Sequence, residues 1–121
     1  MRVGSDCSGF TIMEILVAIF IIVIALTGVI AVTCTVINGN AFSKELTTAT
    51  ALAQDTIEDL KNQPYTALAD GKPETVSSSY TRSWKVKTDL PGTGMKTVEV
   101  NVAWMRYGQR HDVTLSTIIA Q

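Results

Sequence analysis

Three hydropathy patterns follow one another along the chain. From Ile15 to Val32 only Thr27 and Gly28 interrupt an apolar run of 18 residues, and no charge falls inside it. Extended to Ile37 the run is 23 residues. As a helix that covers about 34 Å at about 1.5 Å per residue, enough to cross a hydrocarbon core about 30 Å thick. From Phe42 the pattern becomes one-sided. Phe42, Leu46, Ala49, Ala53, Ile57 and Leu60 step by four or three, while Lys44, Glu45, Asp55, Glu58, Asp59 and Lys61 fill the other side. That is the period of an amphipathic helix. Pro64 stops it, because the residue before a proline resists helical geometry. The spacing predicts one helix from about Phe10 to Asn62, membrane-spanning over 10–37 and amphipathic over about 41–62. Residues 63–78 read as a loop that turns at Asp70-Gly71-Lys72-Pro73. The period then changes to two. Tyr80, Arg82, Trp84 and Val86 alternate with polar residues, Val98, Val100, Val102 and Trp104 make a clean apolar face, and Val113, Leu115, Thr117 and Ile119 repeat it. Strands are expected at about 79–88, 96–106 and 112–120, with turns at Asp89–Gly94 and Tyr107–Gln109. Three antiparallel strands cannot bury one face alone, so the stripe from Phe42 to Leu60 is their cover. The expected fold is α+β, a long N-terminal helix packed on a small three-stranded antiparallel sheet, with a head over 38–121.

Composition sharpens this division. The 121 residues are 46% apolar and 17% charged, with net charge −1. Only Arg2, Asp6 and Glu14 of the charged residues fall in the first 43 positions. The rest has the charge density of a soluble domain. A simple cytosolic globule, a disordered tail and a strongly basic nucleic-acid module are all excluded. The apolar run is also too long for the h-region of a secretory signal, about 7–15 residues, and no clean A-x-A site follows it. Two cysteines, Cys7 and Cys34, make no disulfide framework.

The flank before the span carries the most specific signal. A short polar leader ends in Gly9, Phe10 follows, and Glu14 places a carboxylate at the mouth of the apolar run. Gly9-Phe10-Thr11-Ile12-Met13-Glu14 ahead of some twenty apolar residues resembles the class III signal of type IV pilins and of the pseudopilins of type II secretion. The resemblance implies that residues 1–9 are a leader removed by a prepilin peptidase that cuts after Gly9. Phe10 becomes the new N-terminus and is N-methylated, and Glu14 is the assembly carboxylate, paired with the Phe10 amine of an adjacent subunit. It also implies other pilin or pseudopilin subunits and an inner-membrane assembly platform as partners. The membrane crossing is single-pass, with a cytoplasmic N-terminus and a periplasmic head, and the end state is a pilus or periplasmic pseudopilus. The leader departs from the family in having one basic residue and Asp6, and the span lacks the proline many major pilins carry. Any melting of the helix in a fibre is expected near Gly28. Cys7 would leave with the leader, and Cys34 is expected to be a small buried hydrophobe. The mature chain therefore has no internal disulfide, unlike many major pilins.

The head offers little chemistry. Asp55, Glu58 and Asp59 lie on adjacent parts of one helical face, which reads as a solvated face rather than a cation site. His111 and Asp112 are strand neighbours and point to opposite faces, and no nucleophile is placed beside them, so no enzyme, metal or cofactor is expected. Arg82, Lys85 and Lys87 with Tyr80 and Trp84 have the composition of a nucleic-acid patch, but alternation splits them and nucleic acid is not an expected partner. Residues 38–74 sum to −3 and residues 75–121 to +3, an asymmetry suited to docking between subunits. Ala53–Lys61, Trp84–Pro91 and Lys96–Trp104 loosely resemble minor pilins of the PilV type. Three readings result: a minor pilin of a type IV pilus, a minor pseudopilin of type II secretion, or an uncleaved bitopic anchor or sensor.

Overall fold

The computed structural model describes residues 9–121. Helix α1 (Ile12–Lys61) is followed by a single 3-10 turn (Tyr65–Ala67) and four strands, β1 (Gly71–Ser77), β2 (Tyr80–Thr88), β3 (Met95–Arg106) and β4 (Gln109–Ala120). The chain divides into two compact units at Ala41/Phe42. The first is helical from Ile12 onward, and every described side chain in it is exposed. The expected leader, residues 1–9, lies outside the described residues except for Gly9.

The second unit is α+β. Its strands form one antiparallel meander in the order β1-β2-β3-β4, with β3 held on both sides by unbroken registers to β2 and β4. Val98, Val100 and Val102 on β3 are fully buried beneath Ala49 and Ala53 of α1. Burying each valine contributes on the order of 1.5–3 kcal/mol. Alanine at the two contact positions leaves the helix no side-chain bulk to hold it off the sheet. Leu60, Leu68 and Trp104 close this core, and Phe42, Leu52, Tyr80, Trp84 and Leu115 pack around it.

The sheet has four strands, where three are expected, and the missing one lies inside the expected 63–78 loop. Gly71–Ser77 has no alternating apolar pattern to announce a strand; only Gly71 and Val76 are even partly buried. Pairing with β2 holds it, in a register broken between Gly71 and Glu74 and again between Thr75 and Ser77. Pro73 is tolerated because β1 is an edge strand. Gly71 sits opposite Trp84, and a Cβ at that position would clash with the indole ring. Trp84 Nε1 donates to the Ala69 carbonyl at 3.1 Å, fixing the ring over the glycine.

The helical stripe also differs in two places. Leu46 is 38% exposed, and the half-buried Glu45 takes its place toward the sheet. Thr56 is buried on the stripe; its hydroxyl donates to the Leu52 carbonyl at 2.7 Å, which leaves no unmet polar group. Below the helix end, Lys96 is buried on the inner face of β3. Its Nζ donates to the carbonyls of Tyr65 (2.8 Å) and Leu68 (3.2 Å) and lies 4.5 Å from the centre of the Tyr65 ring. The β3–β4 hairpin closes through Tyr107 (φ 49°) and Gly108 (φ 75°), the two positive φ values that a two-residue hairpin needs to match strand twist.

Gly71→Ala tests the close approach of β1. Forcing a methyl into the space of the Trp84 ring is expected to cost about 1–3 kcal/mol and to shift tryptophan emission. Thermal unfolding of the full chain in detergent micelles reads both, and an unchanged midpoint would contradict the packing described.

Candidate functional site: the N-terminal turn of α1 and the polar corner of the head

The residues expected to be processed lie at the start of α1. Gly9, Phe10 and Thr11 precede the helix, and all are exposed. Apart from its chain neighbours, no atom of the described residues lies within 4 Å of where a Gly9 Cβ would be. Phe10 is 79% exposed. Thr11 is the helix cap: its Oγ1 accepts from the Glu14 amide at 3.2 Å, and its carbonyl accepts from the Ile15 amide at 3.2 Å. Thr11-x-x-Glu14 is a capping-box sequence. Glu14 therefore sits in the first helical turn, where the helix dipole favours a negative charge. Its carboxylate has no hydrogen bond or ion pair among the described residues. Reading the sequence for processing chemistry overlooked the cap, although the Thr-x-x-Glu spacing displays it.

Behind Glu14, α1 is the one helix among the described residues long and apolar enough to cross a membrane. The threonine hydroxyls of the apolar run are satisfied internally. Thr27 donates to the Ile24 carbonyl (2.8 Å), Thr33 to Val29 (2.8 Å) and Thr35 to Ala31 (3.1 Å). That removes the penalty a bare hydroxyl would meet in lipid. In this single chain the helix is continuous through Gly28. Cys34 is exposed, in contrast to the expected buried position, because the first unit supplies no second element to cover it. Cys7 lies outside the described residues.

The head has one polar corner that the sequence pattern misses. The Glu45 carboxylate accepts from Arg106 Nη1 at 2.8 Å and from Trp104 Nε1 at 3.1 Å. Around it the ring of His111 stacks on Trp104 at 5.7 Å and meets the edge of Phe42 at 5.3 Å. The Arg106 hydrogen bond, opposed by burial and reinforced by the Trp104 hydrogen bond and the Arg106 charge, holds the Glu45 carboxyl below the usual carboxylate range. Glu45 in turn raises Arg106. The corner is a tertiary clamp between α1 and the β3–β4 hairpin.

The remaining candidates are distributed as alternation demands. Arg82 faces α1, donating to Glu74 at 3.0 Å and to Thr56 at 3.3 Å. Lys85 and Lys87 are exposed, Lys87 pairing with Glu99 at 2.6 Å. His111 packs among aromatic rings, while Asp112 accepts from Asn101 at 2.9 Å. Asp55, Glu58 and Asp59 are all exposed. Among the described residues no group of three or more His, Cys, Asp or Glu side chains is placed to hold a metal ion. A shallow groove of about 350 Å³ crosses the sheet surface near Thr81, Ser83, Asn101 and Arg110; it presents hydroxyls, an amide and a guanidinium, but no acid–base pair.

Comparison with known proteins bears on the N-terminal segment. A family model, the prokaryotic N-terminal methylation motif, matches residues 4–30. No curated protein and no solved structure matches the chain.

The Glu45 clamp gives a pH dependence of defined sign. A carboxyl whose pKa is depressed on folding adds stability above its unfolded pKa and loses it as pH falls through the folded value. Stability of the head is therefore expected to drop on acidification below the ordinary carboxylate range. Glu45→Gln should flatten that drop, as read by thermal unfolding across an acid series; an unchanged acid slope would contradict it.

Proposed function

From a type IV pilin-like chain carrying the prokaryotic N-terminal methylation motif, we infer a minor pilin of a type IV pilus, held in the bacterial inner membrane until a fibre takes it up. The motif supports a pilin or pseudopilin-like precursor that a prepilin peptidase processes and other pilin subunits accept. Such chains are typically structural, and the reading assigns no reaction to this one. Residues 1–9 are the leader, cleavage follows Gly9, and Phe10 is the methylated N-terminus. The helix crosses the inner membrane once, its N-terminus cytoplasmic and its head periplasmic.

The observation that carries the reading is the placement of Glu14. It is a carboxylate in the first turn of a helix whose next 18 residues hold no charge. A charged acid in hydrocarbon costs on the order of 2.5–3.5 kcal/mol at a helix centre, and an amine left there alone is comparably costly. Pairing the Phe10 amine of one subunit with Glu14 of the next neutralises both and fixes the stagger between them. Gly28, beside the back-bonded Thr27, is where the helix would yield on packing into the fibre.

Glu14 also stands in the turn that Thr11 caps, so its charge and its place in that turn need separating. Glutamine keeps a capping box but removes the charge. Glu14→Gln and Glu14→Ala are both expected to yield processed, membrane-held chain that is absent from sheared fibres. Normal incorporation of the Gln variant would show that assembly does not depend on the Glu14 charge. Deleting the chain should impair surface fibres and twitching; intact fibres with failed exoprotein release would instead make it a pseudopilin of type II secretion.

A further inference from the structure

We propose that the open edge of β4 is a self-association surface, where the head pairs with β4 of a second copy of this chain as an antiparallel two-fold dimer. The proposal uses the head alone and is independent of which fibre the chain joins.

The two edges of the sheet differ. Strand β1 is guarded: its register to β2 breaks twice, and Pro73 stands between Lys72 and Glu74. Strand β4 is the other edge, and it lacks those guards. Its twelve residues pair with β3 without a break, and Val113–Ala120 contains no charge, proline or glycine. A long, unbroken, uncharged edge is a template for another strand. The inner row indicates what that strand must bring. Val98, Val100 and Val102 of β3 are fully buried, whereas Val113, Leu115 and Ile119 on the same face of β4 are only partly buried. The helix covers β3 and leaves the β4 row half open.

Hydrogen bonding sets the phase of the edge. The Gln121 amide donates to the Gly94 carbonyl at 3.1 Å, one step beyond the Met95–Ala120 pair and in the same register. Odd-numbered residues of β4 therefore bond to β3, while even-numbered ones, Arg110 to Ala120, turn amide and carbonyl to the open side. Two antiparallel copies that overlap all of these groups place Arg110 opposite Ala120 of the second copy, Asp112 opposite Ile118 and Thr114 opposite Ser116. Leu115 then faces its own counterpart at the two-fold axis, so each copy continues the other's half-open apolar row. Arg110 and Asp112, the charged residues of β4, lie at one end of each strand, and antiparallel pairing keeps like charges apart. The β1 edge of a copy cannot supply this match, since Pro73 has no amide and the register around it is broken. The isologous β4 pair therefore closes at two copies.

The test oxidises cysteine variants of the full chain, with Cys7 and Cys34 changed to serine, in detergent micelles held in excess over protein. Leu115→Cys alone reads the two-fold axis, where paired Cα atoms stand about 4.5 Å apart. Asp112→Cys mixed with Ile118→Cys reads the exposed row and leaves the core untouched. Ile118→Cys alone is the control, because its counterpart lies about 20 Å along the strand, at about 3.4 Å per residue. Disulfides need Cα atoms within about 7 Å, so linkage should be about tenfold faster at 115 and in the 112–118 mixture than at 118 alone. Ser116→Pro removes an outward amide and no bond to β3; it should slow 112–118 linkage about tenfold and leave the chain folded, as edge strands tolerate proline. Linkage at 118 alone as fast as at 115 marks random collision or another contact and overturns the pairing. Absence of linkage at every position overturns it too. Unslowed linkage in a folded proline variant overturns the backbone pairing; if that variant does not fold, the cysteine pattern decides. Oxidation in native membranes that joins 112 or 118 to a different protein, and not to each other, overturns the second copy as occupant.

Discussion

A carboxylate cannot follow apolar residues into hydrocarbon unless something neutralises it, and Glu14 stands where that constraint is sharpest. The described residues Gly9–Thr11 precede its helix, and beyond Glu14 that helix carries no charge until Lys44. The fold provides a partial answer within one chain, since the capped first turn offers Glu14 the positive end of the helix dipole. The carboxylate still has no counter-charge among the described residues. The proposed fibre supplies the remainder as an amine from the next subunit. The same segment is thus soluble in lipid along its length and specific at its first turn.

The head meets a different requirement, which is to hold a small sheet against a helix using very few large side chains. Ala49 and Ala53 bring the helix backbone down onto Val98, Val100 and Val102. Polar anchors then pin the two ends of β3. Lys96 ties the carbonyls of the segment after the helix, and Glu45 ties Trp104 and Arg106 near the helix's first turn in the head. Apolar burial decides which face is inside, and the anchors decide how far along the helix the sheet sits. This fixes the hairpin tip at the Phe42 end.

Much of this was legible in the sequence because it rests on period. The 3.6-residue stripe and the two-residue alternation of β2, β3 and β4 mark elements whose inner face is repetitive and apolar. Strand β1 was not legible, since Gly71-Lys-Pro-Glu-Thr-Val-Ser77 contains one apolar residue besides its proline and is a strand only because β2 offers it an edge. Glu45 and Leu46 exchanged places for a similar reason. Periodicity assigns the stripe to leucine, while partners at positions 104 and 106, some sixty residues away, turn the glutamate inward. Thr56 and Lys96 are polar residues made buriable by carbonyls that a local pattern cannot see. At the candidate site, the order Gly9, Phe10, Glu14 and the apolar run is visible in the chain, and the methylation motif over residues 4–30 matches the same segment. The Thr11 cap was equally legible in its spacing but hidden behind the processing motif.

The central claim, that the chain is a precursor cut after Gly9 and modified at Phe10, is tested most directly by the intact mass of the protein recovered from membranes of a peptidase-competent cell. The account predicts a chain that begins at Phe10 and carries one added methyl group, with full-length chain accumulating when the prepilin peptidase is deleted. A mass corresponding to residues 1–121 in the competent cell, unmethylated, would contradict it and leave an uncleaved membrane anchor.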